Sequence, residues 1–200
     1  MSNKKHLIVL SAPSGAGKTT VARHLLEVFP FLRFSVSATT RAKREGEVHG
    51  KDYMFLSRDE FRRAIEHDDL IEYEEIFGNY YGTLRSAVAE TIAKGEFLIF
   101  DVDVKGALSL RAAFPDETLL IFVAPPDMET LAARLRARST ETAEQIALRL
   151  SRAEMEMAHQ DQFDEVLVNV HLEQTLTTAE IIVRQHTQAD PRQPSLFEEQ

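Results

Sequence analysis

The sequence predicts an α/β fold, a parallel sheet flanked by helices into which a small domain is inserted. Three observations predict it. Apolar runs that are continuous rather than alternating, Leu7–Leu10, Phe97–Phe100 and Leu119–Val123, suit strands buried on both faces of a parallel sheet. Helical patterns alternate with these runs at both ends of the chain, as strand–helix–strand units require. Between the two ends lie short alternating segments, and all eight glycines fall between Gly15 and Gly106.

The first strand, Leu7–Ser11, feeds a loop, and Lys18-Thr19-Thr20 opens a helix. The apolar positions Val21, Leu25, Leu26 and Phe29 of that helix recur at helical spacing until Pro30. The strand, loop and helix carry APSGAGKT, a P-loop, which makes the sheet one of P-loop NTPase type. In such a loop successive backbone N–H groups form a concavity for phosphate oxygens, and the helix N-terminus adds its dipole. Lys18 then reaches the outer phosphates and the Thr19 hydroxyl ligates Mg²⁺. Ala12 stands where the motif has its first glycine. This requires only that Ala12 avoid positive φ, which costs a residue with a Cβ roughly 1 kcal/mol.

Arg33–Ala38 reads as a strand, followed by a polar loop of fourteen residues, 39–52, a length that is usually functional inside a domain. Tyr53–Leu56 resumes a strand, and Ser57-x-x-Glu60 is a capping box opening a helix with Phe61 and Ile65 on one face. Leu70–Phe77 alternates, with Ile71, Tyr73 and Phe77 on one side and Leu70, Glu72 and Glu74 on the other. Gly78–Gly82 reads as a turn, and Thr83 as the cap of a helix that carries Leu84, Val88 and Ile92 and stops at Gly95. The run Phe97–Phe100 ends in Asp101-Val102-Asp103, and a helix, Val104–Ala113, leads to the strand Leu119–Val123. Asp127 caps the next helix, and the segment Leu131–Arg152 carries Arg134, Arg136, Arg138, Arg149 and Arg152. Val166–Val168 is the last strand and Thr175–Gln188 the last helix.

The net charge of −9 argues against a nucleic-acid partner. Positive charge for a phosphate ligand must therefore be concentrated locally. There is no cysteine, so disulfides and thiolate metal sites are excluded. No apolar run approaches the ~20 residues of a membrane span, and the stretch after Met1–Lys5 is too short for a secretion signal. A cytoplasmic protein is expected. The seven histidines are scattered without metal-ligand spacing, and Met155 and Met157 read as core or its edge.

In a parallel sheet ligands sit outside the carboxyl ends of the strands, where the P-loop, Asp101 and Asp103 all fall. Asp101 suits Mg²⁺, directly or through water, or else caps the following helix. Asp103 can take that cap and leave Asp101 to the metal. Arg134 and Arg138 are i,i+4 neighbours that can point at one ligand. The arginine cluster either clamps a transferring phosphoryl group or pairs with Glu129, Glu141, Glu144 and Glu154 on a solvated face. In a chain this acidic the clamp is the stronger reading. Arg41 and Arg44 form a second basic cluster and imply a second phosphate. Two phosphate sites point to a donor nucleotide and a phosphorylated acceptor, hence a kinase rather than a hydrolase.

The stretches SAPSGAGKTT, SVSATTRAKREGEVHGKDY, FGNYYGT, DVDVKG, APPDMETLAARLRARSTET and VLVN carry a family resemblance. From about Leu7 to about Ile182 the chain resembles guanylate kinases of the bacterial type, in which Ala is also found at the Ala12 position. The resemblance implies a transferase of purine nucleotide metabolism that moves the γ-phosphate of ATP to GMP, with Mg²⁺. It also implies that dGMP is accepted and that neither nucleic acid nor membrane is a partner. By similarity ATP is held by Ala12, Pro13, Ser14, Gly15, Ala16, Gly17, Lys18, Thr19 and Thr20, with Asn169 near adenine. Arg41, Arg44, Tyr53 and Tyr81 hold the GMP phosphate, and Ser37, Glu72, Gly82, Thr83 and Asp103 belong to the guanine side. Lys18, Arg44, Arg134, Arg138 and Arg149 form the catalytic set, and Thr19 and Asp101 the metal site, Asp101 through water.

The implied organisation is a core of residues 1–34, 91–125 and 153–188, a GMP-binding insert at 35–90, a helical lid at 126–152 and a flexible tail at 189–200. Lys105, Ser139 and Val170 depart from the common Gln, Gly and acidic residue of the family. A carboxylate at Glu72 suits guanine, whose N1–H and N2 amino group are adjacent donors. Adenine has a lone pair at N1 and no N2 amine, so such a site can reject it by roughly 10⁴-fold. Two rivals remain at this point. One is a related kinase for another phosphorylated acceptor, such as a ribose bisphosphate. The other is a non-catalytic guanylate-kinase-like binding domain, against which stand the intact Gly15, Gly17, Lys18 and Thr19 and a chain with no room for companion domains. The tail peptide Gln193-Pro-Ser-Leu196-Phe197 looks like the short peptides that bind sliding clamps.

Overall fold

Leu7, Ile8, Val9 and Leu10 are fully buried, and the strand they form, β1 (Leu7–Ser11), is the centre of a five-stranded parallel sheet. The computed structural model describes residues 4–137 and 142–188. A glycine-rich loop leads from β1 to α1 (Lys18–Val28), and β2 (Leu32–Phe34) forms one edge of the sheet. β3 (Ala38–Thr39), β4 (Met54–Phe55), α2 (Arg58–Glu66), β5 (Leu70–Ile76), β6 (Asn79–Leu84) and α3 (Arg85–Ala93) come next. The chain then re-enters the first sheet as β7 (Phe97–Asp101). α4 (Val104–Ala113), β8 (Thr118–Ala124), α5 (Met128–Ala137), α6 (Ala143–Met157), β9 (Glu165–Val168) and α7 (Leu172–Thr187) complete the order.

The main sheet runs β2-β7-β1-β8-β9, with Leu7 in register with Leu98 on one side and Thr118 on the other. Both its faces are covered, which explains the continuous apolar runs. Ile8, Leu10, Ile99 and Ile121 pack with Val21, Leu25 and Phe29 of α1 and Ala179 and Val183 of α7. Leu7, Val9, Phe100 and Phe122 pack on the opposite face with Val88 of α3 and Ala107 and Leu110 of α4. Among the described residues no helix is long and apolar enough to cross a membrane.

The second sheet, β4-β3-β6-β5, has a small core of its own in Ala38, Phe61, Ala64 and Leu70. Its helix α2 begins with the expected capping box, Ser57 and Glu60 each bonding the other's backbone N–H. Asp127 accepts the Thr130 N–H at 2.6 Å and Asp103 accepts the Gly106 N–H at 2.8 Å, so both act as the helix caps foreseen for them. α5 and α6 pair through Leu131, Leu135 and Ala153, and α6 continues past residue 152 to Met157.

Five details differ from the sequence reading. Arg33–Ala38 is not one strand: Leu32–Phe34 belongs to the first sheet and Ala38–Thr39 to the second. The turn is not Gly78–Gly82 but Phe77-Gly78, both at positive φ, because Ile76 pairs with Asn79 and the strand resumes at once. Phe77 is therefore at a hairpin tip and not on a strand face. Thr83 caps no helix; it lies inside β6 and is buried, and Leu84 occupies the N-cap position. Met155 is exposed rather than core. Arg138, Ser139 and the tail from 189, with its Gln193–Phe197 peptide, lie outside the described residues.

Candidate active site

The loop after β1 wraps a cavity of about 470 Å³ whose wall includes Ala12–Gly15, Lys18, Thr19 and Thr20. Gly15 and Gly17 have φ of +96° and +106°, conformations that strain any side chain. A Cβ on Gly17 would also lie 2.5 Å from the Asn169 amide nitrogen. Ala12 is not among the described non-glycine residues at positive φ, so it meets its one requirement. The loop is supported from beneath. Ala16 faces the core, and its carbonyl accepts from Asn169 Nδ2 at 2.7 Å. Leu131 and Leu135 of α5 press against Gly15.

Lys18 Nζ lies 2.6 Å from Asp101 Oδ1 and donates to the Val102 carbonyl at 2.8 Å. Thr19 Oγ1 donates to Asp101 Oδ2 at 3.3 Å. One hydroxyl and one carboxylate at the mouth of a phosphate cradle form the sparse oxygen donor set that Mg²⁺ uses when phosphates and water complete its shell. Arg149 reaches the loop from α6, with Nη1 3.4 Å from Ser14 Oγ. Arg152 and Glu156, one and two turns further along α6, line the same cavity.

A second cavity, of about 200 Å³, joins this loop to the second sheet. It is lined by Lys18, Asp101, Val102 and Asp103 on one side and by Ser37, Glu72, Glu74, Ile76, Tyr81 and Gly82 on the other. Gly82 is required by close approach, since a Cβ there would meet the Glu72 carbonyl at 2.7 Å. Glu72 and Thr83 face each other across the β5–β6 pair, and the Thr83 hydroxyl donates to Glu72 at 2.6 Å. Burial pushes the Glu72 carboxyl up; the Thr83 bond opposes this and nearby Asp103 adds to it.

The long loop places Arg41 against Glu47, two bonds at 2.7 and 3.1 Å, with Tyr53 under the guanidinium and Tyr81 edge-on to Tyr53. Glu47 also accepts the Arg44 N–H at 2.7 Å, and these bonds, that of Arg41 first, hold its carboxyl below its ordinary value. The Arg44 side chain is exposed. Arg134 is not part of the phosphate cavity's wall and donates to the Asn169 carbonyl at 2.9 Å.

The guanylate kinase family model matches residues 4–186. The chain belongs to the guanylate kinase family. It is 54% identical over 170 residues to the guanylate kinase of Chlorobaculum tepidum, covering 85% of this chain and 87% of that one. To the guanylate kinase of Chlorobium luteolum it is 52% identical over 167 residues, covering 84% and 85%. The crystal structure of guanylate kinase from Anaplasma phagocytophilum matches with a TM-score of 0.67 at 35% identity, over 96% of this chain and 90% of that one.

Within this guanylate kinase fold the structure adds residues that the sequence did not single out. Glu47 is one, an acid of the long loop whose carboxylate occupies Arg41. Glu156 is another. It sits seven residues after Arg149 and four after Arg152, a helical spacing that could have flagged it, and burial pushes its carboxyl up. Arg134 yields a prediction. Arg134→Ala should lower kcat by about 10²-fold, the usual cost of losing one donor to a developing charge, and change the KM for GMP less than threefold. Steady-state kinetics decide this, and an unchanged kcat removes Arg134 from the catalytic set.

Proposed function

We infer that this chain transfers the γ-phosphate of ATP to GMP, giving ADP and GDP. Family membership over most of the chain supports the activity. The observation that carries the site reading is the shared cavity, in which Lys18 and Asp101 face Ser37, Glu72 and Tyr81. The P-loop residues Ala12–Thr20 would hold the ATP phosphates, and Asn169, beneath the loop, would set the adenine side. Arg41, Arg44, Tyr53 and Tyr81 would hold the GMP phosphate. Ser37, Glu72, Gly82, Thr83 and Asp103 would form the guanine side, with Thr83 orienting Glu72. Residues 35–90 would act as the GMP-binding insert and 126–152 as the lid over a core of 1–34, 91–125 and 153–188. A cytoplasmic location and the use of dGMP belong to the same proposal.

The reaction needs no covalent intermediate. The nucleophile is a phosphate oxygen of GMP, so in-line positioning and charge neutralisation suffice. Lys18 and Arg149, which line the phosphate cavity, would stabilise charge on the transferring group, and Arg134 and Arg138 would join them on closure. Mg²⁺, held by Thr19 and through water by Asp101, would neutralise charge on the donor phosphates. A closed cleft would also exclude water as a competing acceptor. A coupled ADP-release assay across GMP, dGMP, AMP and ribose bisphosphate tests the reading. GMP and dGMP should turn over, AMP at least about 10³-fold less efficiently. No turnover with GMP would overturn it. The ribose bisphosphate and non-catalytic readings have lost their footing, since the matched relatives are guanylate kinases across most of the chain.

A further inference from the structure

The β5–β6 hairpin ends in an unusual tip. A two-residue turn with positive φ at both positions is the mirror-image type that suits strand twist, and its first position favours Asn, Asp or Gly. Here that position is Phe77, at φ +48°, and its side chain is 99% exposed. An aromatic residue is thus held in a strained conformation and exposed, and backbone strain of this kind clusters at functional sites. The turn itself is secured, since Arg58 donates to the Gly78 carbonyl.

The tip stands on one wall of the nucleotide cleft. Ile76, next to Phe77, lines the cavity that contains Lys18 and Asp101. Farther down the same strand, Glu72 approaches the N-terminus of α4 beside Gly106 and Asp103. α6 lines the phosphate cavity through Arg149 and Arg152, and Arg152 lies 3.7 Å from Asp103. Next to Arg149 on that helix is Leu148, 73% exposed. Leu148 and Arg152 are i,i+4 neighbours and share a face. The hairpin and α6 therefore both come close to Asp103, and each carries an exposed apolar side chain farther along.

We propose that Phe77 is a positioning residue for phosphoryl transfer, seating on Leu148 of α6 when both nucleotides are bound and clasping the hairpin to the lid. The clasp rests on the GMP kinase reading. It acts through closure and touches no reacting atom. Apolar contact across the mouth of the cleft stabilises the closed state alone, so its loss lowers turnover and admits water.

Phe77→Asn separates this from a structural role, because Asn followed by Gly is the favoured pair for this turn. The variant should melt about 1–3 °C higher. Its kcat with GMP should fall about 10-fold, and the share of ATP lost to water should rise. Phe77→Leu, still apolar, should stay within twofold of the unsubstituted protein. The absence of native cysteines allows a direct proximity test. In the Phe77→Cys/Leu148→Cys double variant, a short bis-maleimide should link the two positions within one chain at least fivefold faster with GMP and a non-hydrolysable ATP analogue than without. Equal linking rates, links only between chains, or an unchanged kcat in Phe77→Asn would each overturn the proposal. Turnover of GMP by the unsubstituted protein is the control, and its failure would count against the activity rather than the clasp.

Discussion

Lys18→Met should lower kcat by about 10³-fold or more while GMP still binds. The ammonium is fixed by Asp101 at 2.6 Å and the Val102 carbonyl at 2.8 Å, so it is oriented toward the P-loop before any nucleotide arrives. A charge placed in advance costs no reorganisation during reaction, and removing one such donor typically costs 10²–10³-fold. Lys18 combines that role with anchoring the phosphates, which sets the larger expectation. The substitution also strips Asp101 of its cation. Both side chains keep 20% of their exposure, so water compensates in part and the stability loss should be only about 1 kcal/mol. That corresponds to a fall of about 2–4 °C in Tm for a chain of this size. Initial rates, a melting curve and GMP binding by calorimetry separate the two effects. A kcat within tenfold of the unsubstituted protein would remove Lys18 from the mechanism.

Glu72→Gln should reduce kcat/KM for GMP by about 10³–10⁴-fold and erase most of the preference over AMP. The loss follows because an amide cannot accept both guanine donors and sets its own N–H groups against them. The same substitution should make the protein more stable at neutral pH. Burial raises the Glu72 carboxyl in the folded chain above its unfolded value, so the folded state binds the proton more readily. Its contribution to stability is present below the unfolded value and is lost as pH rises through the folded one. At pH 7–8 the ionised carboxylate is therefore a burden that Gln relieves. A gain in Tm of about 1–3 °C is expected there, shrinking toward zero as pH falls below the unfolded carboxyl value of about 4.3, where both states bind the proton. Melting curves across that range, beside GMP and AMP kinetics, test both halves. A Tm lowered at pH 8 would refute the burial argument.

The frame of the molecule was legible because its signals are local. Continuous apolar runs fix the buried strands, Pro30 and Gly95 stop helices, and Ser57, Asp103 and Asp127 cap them with side chains that reach only three residues ahead. The P-loop was legible for the same reason, as glycines, Lys18 and Thr19 act within one turn of one another. The second sheet was less so. Gly82 looks like a turn residue by composition, yet it is glycine because the Glu72 backbone passes too close for a Cβ. Thr83 precedes a helix as a cap would, but its hydroxyl is used across the sheet by Glu72. Arg33–Ala38 reads as one extended run, and nothing in its alternation marks the passage from one sheet to another. Such features depend on partners ten or more residues away. The Arg41–Glu47 pair lies between these cases, near in sequence but hidden by a loop without periodicity.

That pair has a further meaning. Arg41 already holds an anion, two carboxylate oxygens at 2.7 and 3.1 Å in the arrangement a phosphate would use. An acceptor that bonded Arg41 through the same two N–H groups would displace Glu47, so acceptor binding at this guanidinium would be an ion exchange rather than a simple capture. A resident counter-ion keeps the loop electrically balanced when the cleft is empty. It would also set an admission threshold: a small anion that offers only charge would gain little by the exchange, whereas a nucleotide would bring a base to make up the difference.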